Sequence, residues 1–156
     1  MADDQGIGLD PALREHRRLL VEEHFASEVA QEFDRTLETF AHHPRYEIMA
    51  TGEVYDGPEE VMAYYVRTRT AFPDQRHENV RLHFADDAVI AEFDLLGTNL
   101  GEFYGLPPTG KAFRVPIVGF FLFEGPDLVN ERIYFDAASL VNQIGHGALL
   151  AALADS

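Results

Sequence analysis

The N-terminal quarter of the chain carries its apolar side chains at spacings of three and four, which is the period of an amphipathic helix. Asp10 can cap the free amides of a first turn, and Pro11 suits the first helical position because it lacks an N–H group. The apolar stripe consists of Leu13, Leu20, His24, Phe25, Val29, Phe33, Leu37 and Phe40. Ser27 can cap a second helix, so the pattern predicts either one helix bent near this residue or two packed helices.

The period changes after residues 42–44, and a short strand or hairpin is predicted through about residue 55. A strong helix start follows, because Asp56 can cap a helix and Pro58 fits its first position. We expect this helix to end at Phe72, since Pro73 cannot continue it.

From residue 76 to residue 135 the pattern is that of strands. Alternating residues 80–84 turn tightly into a second run at residues 88–96, which predicts a hairpin. Residues 113–123 form a long, nearly all-apolar strand, and a Gly-Pro-Asp turn leads from it into residues 128–136. Helices that come first and antiparallel strands that come second predict an α+β fold, with helices packed on one face of a curved sheet.

The last of these strands, LVNERIYFD, has an unusual polar face. Side chains alternate along a strand, so Asn130, Arg132, Tyr134 and Asp136 should share one face. An amide, a guanidinium, a phenol and a carboxylate in a row predict the wall of a pocket, or an edge strand with a solvated face.

Composition is that of one globular domain. The chain has 156 residues, 46% of them hydrophobic, and we expect a flexible arm at residues 1–9 and a single domain at residues 10–156.

A net charge of −15 argues against binding to nucleic acid or to an anionic membrane, since both need clustered cations. The N-terminus does not resemble a signal peptide, and no apolar run approaches a membrane span, so a cytoplasmic location is expected.

The loop at residues 97–111, GTNLGEFYGLPPTGK, separates the two long hairpins. Its glycines and prolines fix a shape, while Phe103, Tyr104 and Leu106 are predicted to line the mouth of a cavity and to contact a substrate.

This loop, the Phe-rich strand that follows it, the ERIYFD stretch and Gln143 together resemble the SnoaL-like polyketide cyclases. These belong to the wider group that includes nuclear transport factor 2 and ketosteroid isomerase. The resemblance covers about residues 46–145. It implies a cone of strongly curved antiparallel sheet closed by three helices, with an apolar pocket inside and an aspartate at the end of a late strand as acid and base.

By its position in the motif, that aspartate is Asp136. A carboxylic acid inside an apolar cone loses hydration of its charged form, which suits it to proton transfer near neutral pH. Arg132, four residues earlier on the same predicted face, could bind an enolate or carboxylate oxygen. The alternative is that Asp136 caps a helix beginning at Ala137, or pairs with Arg132.

Other side chains are weaker candidates for chemistry. His83 lies mid-strand and is the best histidine candidate for catalysis, although a surface position is the commoner outcome. Tyr134 and Tyr65 could donate to a carbonyl oxygen, and Asn130 could bind substrate beside them. The spacing of histidines and acids predicts no metal site, and no cofactor is expected.

Two classes of function follow. The first is a cofactor-independent acid/base enzyme that isomerises an apolar polycyclic or terpenoid-like carbonyl compound, or closes it by an aldol reaction. The second is a non-catalytic module that binds a small apolar ligand. A homodimer through the outer face of the sheet is predicted in either case, because residues 113–123 are apolar on both faces and only one can face the cone.

Overall fold

The computed structural model describes residues 8–149 and residue 152. The predicted arm at residues 1–9 lies outside this part of the chain, apart from its last two residues. The helices are α1 (Pro11–Val29), α2 (Phe33–Glu38), α3 (Pro58–Ala71) and α4 (Ala137–Gln143). The strands are β1 (Arg45–Ile48), β2 (Glu53–Asp56), β3 (Arg76–Phe84), β4 (Ala88–Thr98), β5 (Ala112–Glu124) and β6 (Asp127–Phe135).

The N-terminal apolar stripe belongs to two helices, so the second predicted alternative, two packed helices, is the correct one. Asp10 caps α1 as expected, and its carboxylate accepts a hydrogen bond from the amide of Leu13 at 3.0 Å. The break comes after Ala30, where Gln31 adopts a left-handed conformation with φ of 59°. Ser27 does not cap α2: it is buried inside α1, and its hydroxyl lies 2.9 Å from that of Thr36.

The six strands form one sheet in the order β2-β1-β6-β5-β4-β3. The predicted α+β fold is confirmed, with four helices among the described residues where three were expected. All neighbouring strands are antiparallel except β1 and β6, whose parallel pairing places Tyr46 opposite Glu131. The sheet is therefore mixed, because the early β1–β2 hairpin adds to the free edge of the last strand.

The core lies between the helices and one face of the sheet. Along β5 burial alternates strictly at first, since Phe113, Val115 and Ile117 are buried while Ala112, Arg114 and Pro116 are exposed. The buried face continues to Phe121, whose ring packs edge-on against His24 and Phe25 of α1, with centroids 5.2 and 5.4 Å apart. The opposite face of β5 carries Val118, Phe120 and Leu122, which are only partly buried.

Replacing Phe121 with alanine tests which face of β5 is inside. Loss of this fully buried ring should lower the free energy of unfolding by about 3–5 kcal/mol, because it leaves a cavity in the core. Phe120→Ala, one residue earlier on the outer face, is the matched control and should cost clearly less. Denaturant unfolding of the two variants measures this, and equal losses would contradict the assignment of faces.

Candidate functional site

A cavity of about 320 Å³ lies between the inner face of the sheet, helices α3 and α4, and the loop between β4 and β5. Its volume is at the lower end of the range for small-molecule sites. The wall is mainly apolar: the sheet supplies Ile48, Ile117, Ile133 and Phe135, and α4 supplies Leu140. Such a lining favours an apolar ligand that is held by a few polar groups.

The β4–β5 loop closes one side of this cavity with Phe103, Tyr104 and Leu106, as the sequence predicted. Phe103 and Leu106 exchange two backbone hydrogen bonds of 3.0 and 2.9 Å. Between them Tyr104 and Gly105 both have positive φ, of 50° and 76°. Positive φ at both central residues is the geometry of a type I′ hairpin turn, so the tip of the loop is a small hairpin. Whether these side chains contact a substrate stays a prediction.

Polar groups gather at the cavity beside this hairpin. Arg67 is the one charged side chain in the lining, within the part of the chain that the structure describes. Its Nη2 lies 3.3 Å from Oε2 of Glu53 and also donates to the hydroxyl of Tyr55. The hydroxyls of Tyr55 and Tyr104 both donate to the carboxylate of Glu53. We call Glu53, Tyr55, Arg67 and Tyr104 the mouth cluster.

The mouth cluster fixes the protonation of its members. Partial burial raises the pKa of Glu53, but hydrogen bonds from Tyr104 and Tyr55 outweigh burial and hold it below its ordinary value. Burial and the Glu53 carboxylate both raise the pKa of Tyr104, which therefore stays a protonated donor. At neutral pH the cluster thus offers a carboxylate, two phenol hydroxyls and a guanidinium beside an apolar cavity.

The polar face of β6 points away from this cavity. The predicted alternation of side chains along β6 is correct, but the face predicted to line the pocket is wrong. Ile133 and Phe135 point into the cavity, and Tyr134 is 42% exposed. Asn130 and Arg132 bond to Oε2 of Glu47 on the outer side, at 2.7 and 2.9 Å. The reason is the pairing with β5, which sets Ile133 opposite Gly119 and Phe135 opposite Ile117, on the buried side of that strand.

A SnoaL-like polyketide cyclase family model matches residues 20–144, which is most of the chain. The chain belongs to this family. No match is found among curated proteins.

Solved structures agree with this family in fold. A protein of Jannaschia sp. CCS1, assigned to the SnoaL-like polyketide cyclases, superposes with a TM-score of 0.78 at 22% identity, covering 89% of this chain and 97% of the other. TsrD from Streptomyces laurentii gives 0.72 at 24% identity, with 89% and 99% covered. A Catenulispora acidiphila protein with a ketosteroid isomerase-like fold, in complex with trimethylamine, gives 0.70 at 20% identity, with 81% and 92% covered.

The aspartate that the family motif singles out is not inside the cavity. Asp136 is exposed, and its Oδ1 accepts a hydrogen bond of 3.2 Å from the amide of Ser139 as the N-cap of α4. The expectation of an enclosed Asp136 is therefore wrong, because the first turn of a helix needs acceptors for its free amides. Nor does Arg132 pair with it, since Arg132 contacts Glu47.

Two further candidates also lie away from the cavity. His83 is exposed, and its Nε2 lies 2.7 Å from Oε2 of Glu92 on the neighbouring strand. Tyr65 is fully buried in the core and does not line the cavity, whereas its neighbour Tyr64 does. The hydroxyl of Tyr64 donates to that of Tyr46 at 3.4 Å. The tyrosine of α3 that lines the cavity is therefore Tyr64, one residue before the predicted Tyr65.

The core holds a buried ionic cluster that sequence reasoning missed. Nε2 of His24 lies 2.9 Å from Oε2 of Glu131, and Nη2 of Arg69 lies 2.9 Å from Oε1 of Glu28. Burial lowers the pKa of His24, but the charge of Glu131 raises it above its ordinary value. Burial raises the pKa of Glu131. The signal in the sequence was the spacing of His24 and Glu28, which are four residues apart and so lie on the same face of α1.

Neither a metal site nor a membrane span is evident in residues 8–149. No three histidine, cysteine, aspartate or glutamate side chains there are arranged to hold a metal ion. None of the helices described is long and apolar enough to cross a membrane.

The capping role of Asp136 can be tested by substitution. Asp136→Ala should lower the free energy of unfolding by about 1 kcal/mol, because a free amide of α4 loses its acceptor. Asp136→Asn is the matched control and should stay near wild type, since asparagine is an equally good N-cap. Denaturant unfolding measures both, and an alanine variant as stable as wild type would refute the capping role.

Proposed function

We propose that this member of the SnoaL-like family binds a small apolar carbonyl compound in its cavity and moves a proton on it without a cofactor. The reaction would be an isomerisation or an aldol ring closure. The observation that carries the proposal is the mouth cluster: Glu53 is the one carboxylate, among the described residues, that hydrogen-bonds to side chains of the cavity lining. A cytoplasmic location remains a prediction.

In this proposal Glu53 is the acid and base. Its carboxylate takes a proton from a carbon beside the substrate carbonyl, and the electron pair of that C–H bond moves onto the carbonyl oxygen. Arg67 stabilises the resulting enolate as a donor at the same end of the cavity. Once Glu53 carries the proton, the Tyr104 hydroxyl turns its single O–H from the carboxyl group to the enolate oxygen. Return of the proton to a different carbon completes an isomerisation, and attack of the enolate carbon on a second carbonyl closes a ring.

The ionisation state of Glu53 limits the class of compounds that can be substrates. A carboxylate whose pKa lies below its ordinary value is a weak base, so it suits a carbon whose C–H bond is already acidic. Three donors around the carboxylate also leave room for a proton, since an ionised carboxylate has about four acceptor positions. We therefore favour carbonyl compounds in which a second carbonyl or an aromatic ring activates the same carbon.

The alternative is a binding protein without turnover. What favours it is the same low pKa of Glu53, because strong hydrogen bonds to the charged form reduce its power to take a proton. The two functions differ in one respect that can be measured. An enzyme accelerates the exchange of an activated C–H proton in the bound ligand, whereas a binding protein only binds the ligand.

The test uses 2-tetralone, an apolar bicyclic ketone whose C1 carbon lies between a carbonyl and an aromatic ring. Wild-type protein should accelerate deuterium exchange at C1 in D2O, followed by proton NMR, with binding measured by calorimetry. Glu53→Gln should reduce the accelerated exchange by about 10²–10⁴-fold, the usual contribution of one acid/base group, and should keep the affinity within a few-fold.

Glu47→Gln is the matched control, because Glu47 also accepts hydrogen bonds from an arginine but lies on the outer side of the sheet. It should exchange 2-tetralone at the wild-type rate. Binding without any accelerated exchange in wild type would establish the binding protein instead. Absence of binding at millimolar ligand would remove the cavity as the site for this class of compound.

We also propose that two copies of the chain associate through the outer face of the sheet. That face of β5 presents Val118, Phe120 and Leu122 beside Tyr134 of β6, and the rings of Phe120 and Tyr134 lie 5.7 Å apart. A continuous apolar strip on a sheet face favours burial against a second copy, since the same surface can be used by both partners.

Light scattering tests this association. The wild-type protein should have twice the 17.5 kDa mass of one chain at micromolar concentration. Phe120→Arg should yield a folded monomer, because an arginine there lies opposite Ile90 and Arg132 and has no carboxylate directly across from it. Leu19→Arg, on the exposed side of α1, is the control and should remain a dimer. A monomeric wild type would refute the proposal.

A further inference from the structure

Asn99 stands at the start of the β4–β5 loop and is fully buried. Its backbone donates to the carbonyl of Lys111 at 2.9 Å and accepts from the amide of Gly110 at 2.8 Å. Its side-chain amide donates to the carbonyl of Gly101 at 2.8 Å, and its Oδ1 accepts from the amide of Thr109 at 3.0 Å. One residue therefore ties together both ends of the loop.

The base of the loop is also fixed against α3. The amides of Leu100 and Gly101 both donate to the carbonyl of Ala71, at 3.0 and 3.2 Å. A Cβ atom at Gly101 would lie 2.1 Å from the carbonyl oxygen of Thr70, so the two backbones touch there. Arg67 lies one turn earlier on the same helix. The base of the loop is thus held at a set distance from the helix that carries the guanidinium.

The hairpin tip has fewer anchors. Phe103 packs against Phe72 with ring centroids 5.0 Å apart, and Tyr104 reaches across to Glu53 of β2. Tyr104 is itself 54% exposed. The Arg67 guanidinium also lies 5.7 Å from the centroid of the Tyr104 ring. The place of the Tyr104 hydroxyl therefore depends on these few contacts and on the base that projects the tip.

We infer that Asn99 is a positioning residue of the mouth cluster: it sets the β4–β5 loop so that Tyr104 meets Glu53 and the ligand oxygen. The inference rests on the proposed function, since it concerns the same site. Asparagine suits the role because its side chain supplies a donor and an acceptor at once, and both are used. An error of about 1 Å in such a group can reduce a rate about 10²-fold without any loss of ligand contacts elsewhere.

The experiment compares exchange and binding of 2-tetralone in Asn99→Ala. The rate of C1 exchange should fall about 10–100-fold while the dissociation constant stays within about threefold, because the apolar wall is untouched. In a Tyr104→Phe background the same substitution should have little further effect, since the group that Asn99 positions is already gone.

Asn130→Ala is the matched control: it also removes a buried asparagine that bonds to a neighbouring side chain, but on the outer side of the sheet. It should leave the exchange rate unchanged. If Asn99→Ala does not fold, Gly101→Ala replaces it, because the Cβ clash with Thr70 displaces the base by another route and predicts the same loss.

The outcomes separate the two hypotheses. Wild-type exchange that persists in a folded Asn99→Ala or Gly101→Ala protein would overturn the positioning role and leave the proposed function standing. A loss of exchange that adds fully to that of Tyr104→Phe would also overturn it, because Asn99 would then act on something other than Tyr104. No exchange in wild type would instead refute the proposed function.

Discussion

The alternation of side chains along β5 is the constraint on which the rest of the structure depends. This strand lies between β4 and β6, and its odd-numbered residues from Phe113 to Phe123 are buried. Because paired residues on adjacent strands point to the same side of a sheet, β5 dictates the inner faces of both neighbours. Ile133 and Phe135 of β6 therefore face the cavity, and the polar row beside them faces outward.

Two separate polar clusters lie among the described residues. The buried ionic cluster of His24, Glu28, Arg69 and Glu131 lies in the core, and none of its members lines the cavity. Removing two charges from water carries a desolvation cost that their attraction only partly returns, so such pairs are weak contributors to stability. His24 and Glu131 connect α1 to β6 across the core, with 2.9 Å between Nε2 and Oε2.

The mouth cluster is a different arrangement. Arg67 is about half exposed and Glu53 less so, which keeps both charges partly hydrated and avoids the desolvation cost of the buried ionic cluster. Its members come from β2, from α3, which follows β2 directly in the chain, and from the β4–β5 loop much further along. An apolar cavity with hydrogen-bonding groups at one end orients a ligand. The apolar part of the ligand packs against the wall while its oxygen must point to the hydrogen-bonding groups, and only one orientation meets both conditions.

The sequence alone determined the local structure. Short-range chemistry predicted the helix starts at Pro11 and Pro58, the turns between strands, the strand alternation and the cavity-lining loop residues. The predicted cap of α3 was wrong, because its N-cap is Gly57 rather than Asp56 and no side chain caps it. The sequence also contained the capping alternative for Asp136, which the structure bears out. It could not decide which face of β6 is inside, because alternation is symmetric and a strand's inner face is chosen by its partner. The mouth cluster likewise depended on tertiary structure, because only folding brings Tyr104 to Glu53, 51 residues away along the chain.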